Sequence, residues 1–197
     1  RQRQMCIRDS MNAHSSKDSL GAGVKSGDLV LDFSSRNGLK DFLSRIEKLS
    51  KEIQTFTADT TGITDISPWI KLYPDMRLSL AMGRSNPLRT YLDKHYIGWQ
   101  KFALSVGTST DKGLSGELYV DNFQKEGFRV DQMDAVIRQD SSFFYTVASV
   151  HKEKFKDQQP FNAMVSLTTN VHRTEVFTRV EDRNEESFLQ LGLDMTK

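Results

Sequence analysis

At 197 residues, with 37% hydrophobic and 27% charged side chains, the chain is long enough to bury a core without disulfide staples and too apolar to stay unfolded. Its 27 basic residues nearly cancel its 26 acidic ones, so bulk charge recruits no polyanion and a nucleic-acid role would need a local patch. One cysteine, Cys6, excludes an internal disulfide and any zinc site built on a thiolate pair.

Arg1 to Ser10 reads RQRQMCIRDS, which has the look of translated adaptor sequence and is set apart from the fold; the other reading is a basic arm for an acidic partner. Met11 to Gly27 is Ser, Gly, Lys and Asp with few large apolar groups, too little to offset the entropy of ordering. Residues 1–27 are therefore expected to be a disordered tail, and residues 28–197 a single α+β domain. Asp28 to Phe33 begins that domain as a short strand, with Leu29, Leu31 and Phe33 on one side.

A helix is predicted over Gly38 to Thr55, where Leu39, Phe42, Leu43, Ile46, Leu49 and Ile53 recur at steps of three and four. Thr55 to Thr64 lacks any such stripe and reads as a loop. Pro74 has no N–H to give a ladder, so a strand is placed after it, at Arg77 to Met82. A shorter helix follows, with Ser85 or Asn86 as N-cap, Pro87 at its first position and Gly98 just past its end.

Beyond Gly98 the pattern has a period of two. Trp99 to Val106, Leu114 to Asp121, Phe128 to Asp131, Phe143 to His151, Phe161 to Asn170, Glu175 to Val180 and Phe188 to Leu193 read as strands joined by short turns, hence as antiparallel neighbours. In Phe161 to His172 the alternation puts Phe161, Ala163, Val165, Leu167, Thr169 and Val171 on one side and Asn162, Met164, Ser166, Thr168, Asn170 and His172 on the other, leaving one face wet. The predicted architecture is an antiparallel sheet of about six to eight strands, a meander or partly curled, with both helices packed on one face.

No constellation announces a reaction. Gly21, Gly23 and Gly27 lack the strand before and helix after that a phosphate loop needs. His151 and Glu153 form half of a zinc deaminase signature whose Pro-Cys-x-x-Cys half is missing, and His172 and Glu175 are spaced for a helix in a segment that reads as strand. A carboxylate two residues before a lysine, the paired groups of many metal-dependent nucleases, does not occur, and neither does the Gly-x-Ser-x-Gly elbow of serine hydrolases. No metal or cofactor is expected.

Two features remain. Trp69, Lys71, Tyr73, Arg77, Arg84, Arg89, His95, Tyr96 and Trp99 form an aromatic and basic group whose simplest role is to close one end of the core. His151 to Lys156 is a basic run best read as a solvated turn. The leading expectation is a non-catalytic binding or assembly module that docks a protein partner, or a second copy, on a sheet face or edge. The second is a small-molecule binder or enzyme with a pocket between sheet and helices, lined by Tyr73, Arg77, Arg84, His95 and Trp99, with arginine for an anionic group and His95 for proton transfer. Nucleic-acid binding on the sheet is a third and weaker expectation. No apolar run approaches the roughly 20 residues of a spanning helix and no secretory signal is legible, so the expected compartment is the cytoplasm.

Overall fold

A computed structural model describes residues 9–58, 67–153, 159–170, 172–182 and 186–196. The strands are β1 (Ser10–Ser15), β2 (Leu20–Ser26), β3 (Leu29–Ser35), β4 (Met76–Met82), β5 (Ile97–Gly98), β6 (Lys101–Ser109), β7 (Gly113–Lys125), β8 (Phe128–Gln139), β9 (Phe144–Lys152), β10 (Phe161–Thr169), β11 (Arg173–Glu181) and β12 (Ser187–Thr196). Helix α1 (Leu39–Ala58) and a 3-10 turn (Ser67–Leu72) join β3 to β4, and α2 (Pro87–Asp93) follows β4. All twelve strands belong to one antiparallel sheet that meanders in chain order from β1 to β12, with β5 set aside against β7.

The strand count exceeds the expected six to eight, and the physical reason lies largely in the presumed tail. Met11 to Gly27 forms β1 and β2, because Gly21 and Gly23 serve here as room for their neighbours and not as flexible joints. A Cβ at Gly21 would stand 1.9 Å from His14 Cε1, and one at Gly23 would stand 2.7 Å from Asn12 Oδ1. Opposed residues share a face, so each glycine accepts the side chain of the residue it pairs with. Most of the other strands also run longer than predicted, above all β7 and β8, which pair over nearly their whole lengths, while β9 and β10 keep about their predicted lengths.

The register sorts the side chains into two surfaces. One row, Met11, Val24, Leu31, Leu80, Leu104, Leu118, Ala135, Ala148, Val165, Thr178 and Leu191, passes through the eleven strands of the main path and is apolar at every position but Thr178. At the usual spacing between neighbouring strands it is about 48 Å long. The matching row on the other face, Asn12, Gly23, Asp32, Ser79, Ser105, Glu117, Val136, Val147, Ser166, Phe177 and Gly192, is mixed and mostly polar. An apolar face and a wet face therefore extend across the whole sheet.

Both helices lie toward the apolar face, as expected, but they cover only part of it. The Phe42 ring of α1 meets Phe33 of β3 edge-on at 5.6 Å. Arg45 ties the helix to the 3-10 turn by donating to the carbonyls of Lys71 and Tyr73. Helix α2 starts where Asn86 Oδ1 accepts from the Arg89 N–H at 2.8 Å. It ends at Asp93, and Tyr96 turns the chain with φ 56°, so Gly98 is not its cap but part of β5. Leu92 of α2 packs beside Met82, Trp99 and Val120, the buried centre of the core, with Leu80, Phe102, Leu118 and Met133 around them. Among the described residues, β9 to β12 touch principally their neighbours in the sheet.

Candidate binding surface

The apolar face becomes an open surface where the helical cover stops. Val165, in the middle of β10 with two strands on its C-terminal side, is 45% exposed. In β12 the same face carries Leu189, Leu191, Leu193 and Met195, with Leu191 60% and Leu193 55% exposed. Thr174, Val176, Thr178 and Val180 of β11 stand opposite these residues, so the stretch is continuous. It is chemically uniform, with methyl and methylene groups and a few hydroxyls, and it is the kind of exposed apolar patch that marks a contact site.

One cation borders this surface. Ala148, Val150 and Lys152 alternate on the apolar side of β9, and Lys152 pairs with Phe161 of β10. Its side chain is 4% exposed overall, with Nζ 4.6 Å from the Phe128 ring centre and 5.7 Å from that of Phe161. The aliphatic stem is thus packed while the ammonium lies over two aromatic faces. Lys152 was read from sequence as part of a solvated turn; the fold overturns this, because Phe161 pairs with it from β10 and the Phe128 ring of β8 lies against its ammonium. Residues 154–158 of that basic run lie outside the described residues.

Nearby, partial burial pushes the Asp131 carboxyl up, but the Glu153 backbone N–H and the Arg129 guanidinium outweigh it and hold the group below the usual carboxylate range. Asp131 therefore stays ionised and fixes the end of β9 against β8.

The five predicted lining residues are split between the two ends of β4. Tyr73 is buried just before it, its hydroxyl donating to Gln139 Oε1, and burial raises its pKa to about 12. Arg77 is exposed at the start of β4 and lines an open cleft of about 890 Å³ on the polar side. There Arg77, Lys112 and Arg138 stand among Asp75, Asp111 and Asp140. Arg36 pairs with Asp75 at 3.6 Å inside the cleft, and Arg138 pairs at 2.5 Å with Glu117, which lies outside its lining.

Past the far end of β4, about 17 Å along the strand from Arg77, Arg84 is exposed in the turn and His95 is exposed beside Tyr91, with ring centres 4.9 Å apart. Trp99 is buried under the Arg89 guanidinium, 5.6 Å from the ring centre, and its carbonyl accepts from Arg89 Nη1 at 2.9 Å. The structure brings Arg84, His95 and Trp99 toward one end of the sheet and Tyr73 and Arg77 to the other, and does not join them in one lining. Of the aromatics expected to close the core, Tyr73 and Trp99 are buried while Tyr96 is 75% exposed.

Among the described residues no three His, Cys, Asp or Glu side chains stand close enough to hold a metal, and no helix is long and apolar enough to cross a membrane. No protein-family model, curated protein or solved structure matches the chain.

Proposed function

We propose that this chain is a non-catalytic binding or assembly module that offers the open apolar side of β9 to β12, with the edge of β12, to a protein partner. One observation carries the reading: an apolar row that is partly packed under helices around β3 to β7 runs on, broken only by Thr178, into strands that no described helix covers, so that Val165 and Leu191 face solvent. Covering a large side chain of this kind is worth about 1.5–3 kcal/mol, and a partner that covers several at once gains a strong driving force without any motif.

Binding measured on the full chain tests this. Val165→Asp is expected to abolish retention of the partner by placing a charge in the covered surface, while Ser166→Asp, its neighbour on the polar face, leaves retention intact. Equal loss in both variants, or in neither, contradicts the reading.

A further inference from the structure

β12 closes the sheet at one side, and its outer edge pairs with no other described strand. Exposed sheet edges are ordinarily blunted by lysine, proline, a bulge or a covering loop. β12 has neither lysine nor proline, and the one irregularity in its pairing with β11, at Val180/Glu181, lies beside Phe188 near its start and leaves Leu189 to Thr196 in regular register. It carries one charge, Asp194, which is already held by Arg173 through two hydrogen bonds of 3.0 and 2.6 Å. Half of its ten residues, Phe188, Leu189, Leu191, Leu193 and Met195, are large exposed apolar groups. β1, at the other side, is Ser-Met-Asn-Ala-His-Ser and has little to bury.

The topology restricts what can add to this edge. Eleven antiparallel strands make up the path from β1 to β12, an odd number, so β1 and β12 run in the same direction. A second copy presenting β1 with its apolar face on the same side would meet β12 in parallel. A copy turned by a two-fold axis normal to the sheet presents β12 instead, runs antiparallel to it and keeps both apolar faces on one side.

We infer that two copies of this chain join β12 to β12 in this way, with Gly192 opposite Gly192 at the axis. This inference deepens the proposed function by naming a partner for the edge, and it rests on that reading. The self-register is complementary. Leu191 meets Leu193 and Leu189 meets Met195 on the apolar face, while Gln190 meets Asp194 on the polar face. No like charges are opposed, and the Gln190 amide is placed to donate to the Asp194 carboxylate of the other copy. A Cβ at Gly192 would meet nothing within 4 Å in the free chain, so the backbones at the axis are open to approach.

Light scattering after size exclusion, on the full chain over a concentration series, is expected to show twice the monomer mass at the upper end. Gln190→Asp puts two carboxylates opposite each other and should raise the dimer dissociation constant about tenfold, whereas Gln190→Lys faces Asp194 with a cation and should keep or tighten the dimer. A chain that is monomeric throughout, or a dimer indifferent to both charge changes, overturns the inference. So does a monomer whose β12 gains protection from hydrogen exchange only when a separate synthetic strand peptide is added. Val165→Asp lies off the edge and should leave the dimer intact; if it still removes partner binding from a chain that does not dimerise, the inference fails and the proposed function stands.

Discussion

Tyr73 and Gln139 are 66 residues apart in sequence, yet their buried side chains share one hydrogen bond at the end of the apolar face. Removing the hydroxyl leaves the Gln139 amide oxygen without that donor, so Tyr73→Phe is expected to cost about 1–2 kcal/mol in a urea titration. Burial raises the Tyr73 pKa to about 12 against roughly 10 in the unfolded chain. The folded state therefore holds the phenol proton more tightly, and this contribution is complete below pH 10 and lost between about pH 10 and 12. Stability measured over that range should fall less steeply in the Phe variant; an equal slope would contradict the assignment.

Asn86 works at the same scale. It caps α2 while its Nδ2 donates to Asp28 Oδ1 at 2.7 Å. The Asp28 carboxyl, pushed up by partial burial but pulled down further by Asn86 and by backbone N–H groups, sits below its usual range, so its stabilising effect is present above about pH 4 and lost as pH falls below that. Asn86→Ala should lower stability by about 1–2 kcal/mol at neutral pH and by less in acid. The cap itself was legible, since Asn86 stands before Pro87 in the sequence. Its partner Asp28, 58 residues away, was not, because nothing local marks a contact across the sheet.

Among the elements, α1 was the clearest in the sequence, and its predicted span of Gly38 to Thr55 lies close to the observed Leu39–Ala58. What the periodicity did not reveal is how little of the apolar stripe is covered. Leu39, Leu43, Ile46 and Ile53 are all exposed, whereas Phe42 packs on Phe33. Periodicity reports which residues could share a face, and only the tertiary fold decides how deeply that face is buried. Phe42→Ala is accordingly expected to cost about 1–3 kcal/mol, and Leu43→Ala under about 0.5 kcal/mol, by thermal or urea unfolding. Similar losses at both positions would mean that the helix rests on its whole stripe.

The strands show a different limit. Alternation located every one from β6 to β12, because a half-covered ribbon keeps a period of two. It failed for β1 and β2, where the glycines that read as flexible are the spaces into which His14 and Asn12 fit.

For the molecule as a whole, the apolar and polar rows were visible strand by strand, but the number of strands and the point at which cover ends were not, since both depend on which segments pair. The five residues proposed as a lining show the same limit: closeness in sequence grouped them, and β4 separates them. The open side of the sheet predicts a division between stability and binding. Leu118→Ala, in the packed half, should cost about 2–4 kcal/mol, whereas Leu191→Ala should leave the unfolding midpoint nearly unchanged and weaken partner binding.

The most direct measurement is the rate at which methionines react with hydrogen peroxide in the folded protein, read by mass spectrometry. Met82 is 6% exposed beneath α2 and Met195 is 40% exposed on the uncovered end of the same face. Fast oxidation of Met195 with slow oxidation of Met82, and slowing of Met195 alone when the partner is bound, is the predicted result. Equal protection of both in the free chain would mean that the face is closed along its whole length and would contradict the account.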